Sequence, residues 1–365
     1  MRWSLKLGKV AGIKIFMHWT FLLLLGWIFL VYWEMGNGLG MALYGVLFVL
    51  ALFGCVVLHE LGHALMARRY GIATQDITLL PIGGVARLER IPREPTQELL
   101  VAIAGPAVNV IIAALLFFGL WLWGLTPFQD SGATWRSFAG QLMFTNLFLV
   151  VFNLLPAFPM DGGRILRALL ARRLEYTRAT RIAARIGQVM AIGFGLLALR
   201  VNPMLLLIAI FVFLGAEAEL RTVQITSPMR GLTVQQAMLR RFRALSAQDS
   251  LQQAASELLA GSQQDFPVVS GEEVVGVLAR NDLVTALAER GPETQVGQAL
   301  HPGCQVLSET DELERCYNLL RQNGCTSLPV VRDGRLIGMV TLENLHDWML
   351  IQAALRQGEP EAKAA

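Results

Sequence analysis

The sequence predicts a polytopic α-helical membrane domain, with about six transmembrane helices, followed by a cytosolic α/β module. The 365 residues are 54% hydrophobic and only 16% charged, whereas soluble proteins have about 25% charged residues. Long apolar runs are confined to residues 15–220, and the sequence after them has the composition of a globular protein. The predicted parts are a membrane domain at 1–222, two repeated units at 226–288 and 296–350, and a flexible tail at 351–365.

Six apolar runs have about the length of a membrane span, since roughly 20 helical residues cross about 30 Å of hydrocarbon. Lys and Arg are concentrated in the N-terminal segment and in alternate connections, which predicts that both termini lie in the cytoplasm. The last two runs are short and close together, so five spans or a re-entrant pair is the alternative. The predicted spans are 15–33, 41–67, 99–125, 138–155, 181–199 and 203–220.

Charge and cysteine content argue against several classes of protein. A net charge of +3, without a basic tract interleaved with aromatic residues, argues against a nucleic-acid partner. The first apolar run has no small-residue cleavage site, so we interpret it as a span and not as a signal peptide. The four cysteines form no C-x-x-C pair, which predicts neither a thiolate zinc site nor a disulfide framework and is typical of a reducing cytosol. They are Cys55, Cys304, Cys316 and Cys325.

A histidine pair in the second predicted span is the first sign of catalytic chemistry. His59 and His63 are four positions apart, so a helix presents both imidazoles on one face, where they can bind one metal ion. Glu60 flanks that ion and can take a proton from its bound water. The alternative is a polar contact between helices. Because ionisable side chains in a membrane span are costly and usually functional, the metal site is the preferred interpretation.

Asp161 is the candidate for a third ligand, because zinc in a hydrolase usually has three protein ligands and one open position. It is the only acidic residue between Asp130 and Glu175, and it follows the fourth predicted span. Two prolines and two glycines around it break the helix, so that its carboxylate can turn inward. An aspartate in a turn before Gly-Gly is the alternative. His59 lies nine residues before Arg68, which puts the ion about 14 Å below the cytosolic surface.

Together these residues resemble the site-2 proteases, a family of intramembrane zinc metalloproteases. H-E-L-G-H lies in a predicted span, and N-L-L-P-A-F-P-M-D-G-G follows at 153–163, in the order of the family's two motifs. The resemblance covers the whole predicted membrane domain and implies a catalytic core made of the second to fourth spans. It implies one Zn²⁺ per chain, with His59, His63 and Asp161 as its ligands and Glu60 as the general base.

The resemblance also implies roles for residues outside the ligand set. Asn153 would donate a hydrogen bond to the substrate backbone or the developing oxyanion, and an interhelical packing amide is the alternative. Residues 104–109 resemble a family element that we interpret as close helix packing. Residues 81–87 resemble a strand beside the active site that captures an unwound substrate by strand addition, and an interfacial turn is the alternative. His18 is not assigned to zinc.

The function implied by the resemblance is hydrolysis of peptide bonds in transmembrane protein substrates within the lipid bilayer, as part of regulated intramembrane proteolysis. The compact form suggests the plasma membrane of a prokaryote. A channel or transporter with the same domain order is one alternative, because polar residues in a membrane also line ion pathways. That alternative leaves the histidine spacing and the distant aspartate unexplained. The other alternative is a catalytically inactive relative, and the full set of ligands and base argues against it.

The cytosolic part contains an internal duplication. Pro267 and Pro329 begin similar segments and are 62 residues apart. Each unit is predicted to contain strand, turn, strand and helix, after an amphipathic helix at 251–259 in the first unit and at 313–323 in the second.

These two units resemble a tandem pair of CBS domains. The resemblance implies an adenine nucleotide between the halves, bound by a Thr or Ser and an Asp near the start of the last helix of each unit. The match is split, because the first unit has Asp282 but Ala279 in place of the hydroxyl, and the second has Thr341 but Asn344 in place of the aspartate. The alternative is a module without ligand that docks substrates or forms a homodimer. In either case we expect the pair to regulate activity.

Overall fold

The computed structural model describes the chain in eight segments, 4–34, 38–81, 83–89, 92, 94–124, 135–301, 304–322 and 325–358. They belong to two compact units, Met1–Val223 and Gln224–Ala365. Residue 125, the last of the predicted third span, lies outside the described residues, as does Ile82 in the predicted strand element.

The described part of the first unit contains a four-stranded sheet and seven helices. Its strands are β1 (Ser4–Val10), β2 (Ile13–His18), β3 (Thr74–Leu80) and β4 (Gly83–Leu88). Its helices are α1 (Thr20–Tyr32), α2 (Gly38–Arg69), α3 (Pro95–Leu122), α4 (Trp135–Asn153), α5 (Asp161–Ala171), α6 (Tyr176–Ala198) and α7 (Met204–Thr226).

The sheet has the strand order β1-β2-β3-β4, so β4 is an edge strand. β1 pairs with β2 and β3 pairs with β4 in antiparallel fashion, whereas β2 and β3 are parallel. Ala11 and Gly12 join the first two strands with φ angles of 50° and 91°, the left-handed backbone that a tight hairpin turn requires. The strand expected at 81–87 corresponds to β4, at Gly83–Leu88.

The structure corrects the start of the first predicted span. Residues 13–18 form β2, and helix α1 begins at Thr20 and has only 13 residues, fewer than the roughly 20 that a span requires. Ile13 and Ile15 are buried on one face of the strand. The alternation of buried and exposed residues in this strand is difficult to recognise in the sequence, because an apolar helix follows it almost directly. The strand and the helix together therefore resemble one continuous apolar run.

Three helices of the described part, α2, α3 and α6, are long and apolar enough to cross a membrane. The predicted spans at 138–155 and 203–220 coincide largely with helices α4 and α7. α6 and α7 are separated by five residues, 199–203.

Helix α2 ends in a Schellman motif just beyond the predicted metal site. The amide of Ile72 donates to the Ala67 carbonyl at 3.2 Å, and the amide of Gly71 donates to the carbonyl of Arg68 at 3.1 Å. Gly71 has a φ of 72°, which glycine adopts without strain. Arg68 and Arg69 in the last turn interact favourably with the helix dipole. The end of the helix that presents the histidine pair is thereby fixed.

A buried arginine connects three helices of the first unit. The Arg167 side chain, on α5, is fully buried, and its Nε donates to Oε1 of Glu98 on α3 at 2.7 Å. Its Nη1 donates to Oε1 of Glu219 on α7 at 2.5 Å, and the guanidinium lies over the rings of Phe158 and Tyr176. Because α5 begins at the predicted third ligand, this network holds the helix that carries the ligand.

Where the structure describes it, the second unit contains two sheets of three strands each. The first comprises β5 (Leu245–Ser246), β6 (Phe266–Ser270) and β7 (Glu273–Leu278), with helices α8 (Leu251–Ala260) and α9 (Arg280–Arg290). The second comprises β8 (Leu307–Ser308), β9 (Ser327–Arg332) and β10 (Arg335–Thr341), with helices α10 (Leu313–Gln322) and α11 (Leu342–Gly358).

The order of elements confirms the predicted duplication of strand, turn, strand and helix after an amphipathic helix. Each half has its own hydrophobic core, centred on residues such as Phe266 and Leu278 in the first and Leu328 and Leu345 in the second. Helix α11 continues to Gly358, where the sequence predicts a flexible tail from 351 onward. Residues 359–365 of that tail lie outside the described residues.

The prediction of no disulfide is wrong for one pair of cysteines. Cys304 and Cys325 are bonded to each other, with their Cα atoms 5.8 Å apart. They are 21 residues apart in the chain, and the fold of the second unit brings them together across helix α10. Cys55 and Cys316 are free and buried.

Candidate metal centre

Three side chains from two helices converge in the first unit. Nε2 of His59 lies 3.1 Å from Nε2 of His63. Oδ2 of Asp161 lies 3.2 Å from Nε2 of His59 and 3.1 Å from Nε2 of His63, and all three residues are buried. The structure thus brings together the three residues that the sequence predicts as metal ligands.

The spacing of these three atoms fits a tetrahedral zinc ion. With bonds of about 2.0–2.1 Å, tetrahedral donors are about 3.3 Å apart, close to the separations of 3.1 and 3.2 Å between the donor atoms here. Two imidazoles and one carboxylate form a donor set typical of hydrolytic zinc sites, which keep one further position for water.

The other nitrogen of each imidazole has its own acceptor. Nδ1 of His59 lies 2.8 Å from Oδ1 of Asn109, and Nδ1 of His63 lies 2.7 Å from the Val101 carbonyl oxygen. A carbonyl oxygen only accepts, so Nδ1–H donates in both cases and each Nε2 keeps its lone pair for a metal. Such partners fix the tautomer and orientation of a metal-binding histidine. Both partners lie on α3, which packs against α2.

The role of Asn109 was not found from the sequence, where residues 104–109 were interpreted as a packing element. Its Nδ2 donates to Oδ1 of Asn146 on α4 at 3.1 Å, and Asn146 donates in turn to the Leu142 carbonyl at 2.8 Å. Both asparagines are fully buried. A chain of amides therefore runs from His59 through two further helices and holds its imidazole. The signal was present, since Asn109 lies four positions after Gly105, on the same helix face.

Gly105 provides the space in which the two imidazoles meet. A Cβ atom at this position would lie 2.1 Å from Nε2 of His63 and 2.7 Å from Nε2 of His59, far inside van der Waals contact. Gly62 on α2 has a similar role one helix turn away, because a Cβ there would lie 2.7 Å from the Ala104 carbonyl oxygen. The metal site therefore depends on close packing of α2 against α3 through small residues.

Asp161 is positioned by the tight turn that precedes it. It is the first residue of α5, after a segment that begins at the end of α4. Cβ atoms on Gly162 and Gly163 would lie 2.2 Å from the Leu155 carbonyl oxygen and 2.6 Å from the Phe158 nitrogen. Only glycines allow this turn to fold back on itself, so the predicted break of the helix around Asp161 is confirmed, and its carboxylate reaches α2.

The two predicted catalytic residues outside the ligand set are placed differently. Glu60 is partly buried and lies against β4, since a Cβ atom on Gly84 would come 2.9 Å from its Cγ and 3.5 Å from its Oε1. Asn153 is the last residue of α4 and is also partly buried. Within the described residues, no hydrogen bond joins Asn153 to the three converging side chains.

The remaining candidate residues lie elsewhere. Nδ1 of His18 is hydrogen-bonded to Thr20 at 2.7 Å, and His18 is not part of the buried group, as expected. In the second unit, Thr341 lines a cavity of about 630 Å³. Asp282 does not line this cavity, and its carboxylate instead lies 2.7 Å from Nδ1 of His301. The structure does not bring the two predicted nucleotide-binding residues to one site.

Comparison with known proteins identifies both parts of the chain. Residues 47–141 and 125–194 match Peptidase family M50, and residues 234–289 and 296–351 each match the CBS domain. A zinc metalloprotease of Methanocaldococcus jannaschii is 35% identical over 345 residues, which cover 93% of this chain and 94% of that protein. The putative zinc metalloprotease Rip3 of Mycobacterium tuberculosis is 30% identical over 372 residues, which cover 93% of this chain and 91% of Rip3.

Among solved structures, the site-2 protease from Methanocaldococcus jannaschii is 42% identical, with a TM-score of 0.46, and the match covers 60% of this chain and 96% of that one. The fold and the buried triad define the class of membrane metalloproteases. The two metalloproteases that are 35% and 30% identical over 93% of this chain show that the chain belongs to the site-2 proteases, Peptidase family M50, and it carries a tandem pair of CBS domains. Both resemblances stated from the sequence are confirmed.

We predict that Gly105→Ala removes the catalytic metal without changing any ligand. The added methyl group occupies the space between the two imidazoles, so the protein should lose about one equivalent of zinc relative to wild type by elemental analysis. Gly54→Ala is the matched control, because a Cβ atom on Gly54 in the same helix bundle has no neighbour within 4 Å. Wild-type zinc content in Gly105→Ala would show that the metal lies elsewhere.

Proposed function

We propose that this protein is an intramembrane zinc metalloprotease that hydrolyses peptide bonds of transmembrane protein substrates. The observation that carries the proposal is the buried triad of His59, His63 and Asp161, whose donor atoms lie 3.1–3.2 Å apart between apolar helices. Ionisable groups at such a position are costly and usually functional. A transporter would also use polar residues, but it has no need of three donor atoms spaced for one tetrahedral cation.

Different residues of the chain have different roles in the hydrolysis. A bound zinc ion would supply the Lewis acidity that lowers the pKa of a water molecule toward about 7. Glu60 accepts the proton from that water and delivers it to the leaving nitrogen of the scissile bond. Asn153 donates a hydrogen bond to the substrate backbone or to the developing oxyanion. Asn109 and the Val101 carbonyl hold the two imidazoles in the orientation that the ligands need.

The edge strand β4 is the proposed binding surface for the substrate backbone. A transmembrane helix resists hydrolysis because its carbonyls are hydrogen-bonded, so the substrate must unwind before it is cut. β4 pairs with β3 on one side only, and its Gly84 lies against Glu60. An extended substrate segment added to this edge would lie about 4.8 Å from β4, the strand whose face is in contact with the proposed base.

The proposed setting is the plasma membrane of a prokaryote, with both termini in the cytoplasm. Support comes from the basic residues that follow α2 and α4, since positively charged connections stay on the cytoplasmic side. In this orientation the CBS pair lies in the cytosol.

We predict that Glu60→Gln strongly slows cleavage while metal binding remains. The substitution keeps the size of the side chain but removes the base, so cleavage of a single-span substrate peptide in proteoliposomes should fall about 10²–10⁴-fold. Zinc content should equal that of wild type. Glu89→Gln is the control, because Glu89 is exposed just after β4.

The same pair of variants distinguishes a protease from the two alternative functions. A transporter or an inactive relative would show no cleavage by the wild type. If Glu60→Gln cleaved as fast as wild type, the assignment of Glu60 as the base would be wrong. A fall in zinc content together with activity would make Glu60 a metal-site residue instead.

We further propose that the CBS pair regulates the protease by binding an adenine nucleotide in its cavity. The cavity lies between the two repeats and is lined by polar side chains of both, which include Arg280, Thr326 and Thr341. Its volume of about 630 Å³ lies in the range of small-molecule sites, about 300–1,000 Å³. Because the Asp282 carboxylate is hydrogen-bonded to His301, recognition of the nucleotide falls to the side of the cavity that holds Thr341.

We predict that Thr341→Val weakens binding of an adenine nucleotide to the full-length protein about 3- to 10-fold, the effect of one lost hydrogen bond. Basal cleavage should stay at the wild-type rate, and its response to nucleotide should shift to higher concentrations. Glu289→Gln is the control, with unchanged nucleotide affinity, because Glu289 is exposed on α9 and does not line the cavity. Absence of nucleotide binding to the wild type, measured calorimetrically, would favour a docking or dimerisation module.

A further inference from the structure

Three potential metal ligands outside the buried triad lie together in the second unit. The donor atoms of His301, Cys304 and Cys325 are all within 4.8 Å of one another. We call these residues the thiol–imidazole cluster. Two cysteines and one histidine form a ligand set that zinc accepts, with bonds of about 2.3 Å to sulfur and about 2.0–2.1 Å to nitrogen.

The histidine of the cluster has the carboxylate partner that metal-binding histidines commonly have. Nδ1 of His301 lies 2.7 Å from Oδ2 of Asp282, on helix α9. A carboxylate accepts the Nδ1 proton and leaves the lone pair of Nε2 available for a cation. The same carboxylate explains why Asp282 does not serve the nucleotide cavity, although the family pattern predicts it there.

The cluster connects the two halves of the CBS pair. The backbone amide of His301 donates to the Val277 carbonyl of β7 at 2.9 Å, and Asp282 belongs to the same half. Cys304 and Cys325 instead pack against the hydrophobic core of the second half. Cys325 is buried, whereas His301 and Cys304 are only partly buried, so solvent ions reach the cluster and a water molecule can complete the coordination.

Cys316, the third cysteine of this unit, lies apart from the cluster. Cys316 lies in the core of the second half, and burial raises the pKa of its thiol to about 12. Its sulfur is not among the donor atoms that lie together in the cluster. Within the described residues of the second unit, the two cysteines of the cluster are therefore the ones placed to share one ion with His301.

We propose that the thiol–imidazole cluster is a redox-controlled zinc site, separate from the catalytic one. With reduced thiols, Cys304, Cys325 and His301 bind one Zn²⁺ and clamp the two CBS repeats together. With oxidised thiols, the two sulfurs form the disulfide seen in the structure, and the zinc ion is released.

A low-molecular-weight disulfide can serve as the oxidant of the two thiolates. The two zinc-bound thiolates form one S–S bond between Cys304 and Cys325, the S–S bond of the reagent breaks, and its two sulfurs leave as thiolates. Zn²⁺ departs unchanged, because it has no redox chemistry of its own. A reducing cytosol returns the cluster to its zinc-binding form.

The cluster is connected to the wall of the nucleotide cavity. Thr326 follows Cys325 in the chain, lines the cavity and is hydrogen-bonded to Asp265. Asp265 also accepts a hydrogen bond from the backbone amide of Arg280, two residues before Asp282. Exchange of a zinc clamp for a shorter disulfide shifts these residues, so nucleotide affinity should differ between the reduced and oxidised protein.

Cobalt substitution distinguishes this site from the catalytic centre. The His59, His63 and Asp161 triad contains no sulfur, so only a thiolate site produces a near-ultraviolet thiolate-to-cobalt charge-transfer band. Reduced full-length wild type reconstituted with Co²⁺ should show this band, and Cys316→Ser should keep it. Cys304→Ser should lose it, and His301→Ala, which keeps both thiols, should bind the ion more weakly and alter the band.

The matching zinc measurement uses the wild type alone. The reduced protein should bind two equivalents of zinc and release one of them when oxidised glutathione is added. Absence of the band and one equivalent in the reduced wild type would overturn the proposal. A band of full strength in Cys304→Ser would also overturn it, because the sulfur would then belong to another cysteine.

Discussion

Inside an apolar helix bundle, a polar atom that has no partner costs several kcal/mol, because the surrounding apolar side chains cannot replace its hydrogen bonds to water. This cost organises the first unit of the protein. His59 and His63 both sit on α2, among apolar residues, and each of their nitrogens has a defined neighbour. One nitrogen of each ring has an acceptor on α3, and the other faces the shared centre. The hydrogen bonds that these buried imidazoles require thus also fix the orientation in which they can bind a metal ion.

The same requirement explains the helices around the site. The amide chain through Asn109 and Asn146 adds α4 to the pair of helices that hold the histidines. Arg167, paired with two glutamates, fixes α5 between α3 and α7. Removing one partner from a buried ion pair of this kind typically costs about 3–5 kcal/mol, so these polar groups are structural supports of the site as well as features of the fold.

Local features of the fold and the site were predictable from the sequence. The histidine pair follows from helical spacing, and the duplicated strands and helices of the CBS pair follow from the repeat. Asp161 is 98 residues from His63, and its selection relied on the absence of other carboxylates nearby and on the family motif. Contacts that depend on which helix faces which, such as Asn109 to His59, were not predicted, although Gly105 and Asn109 share one face of α3.

Two errors have a common physical origin. β2 was read as part of a membrane span because a short strand with buried Ile13 and Ile15 precedes an apolar helix without a polar break. Cys304 and Cys325 were read as unrelated because their spacing matches no motif, and only the fold of the second half brings them together. In both cases the sequence contains the residues but not the packing that gives them their role.

The most direct test of the account is zinc X-ray absorption spectroscopy of the full-length protein with both Cys304→Ser and Cys325→Ser, so that only the catalytic metal contributes. The account predicts a first shell of nitrogen and oxygen at about 2.0–2.1 Å with no sulfur at about 2.3 Å. It also predicts outer-shell scattering from two imidazoles, reduced to one in the presence of His63→Ala. A sulfur shell, or imidazole scattering that His63→Ala leaves unchanged, would contradict the assignment of the buried triad as the zinc site.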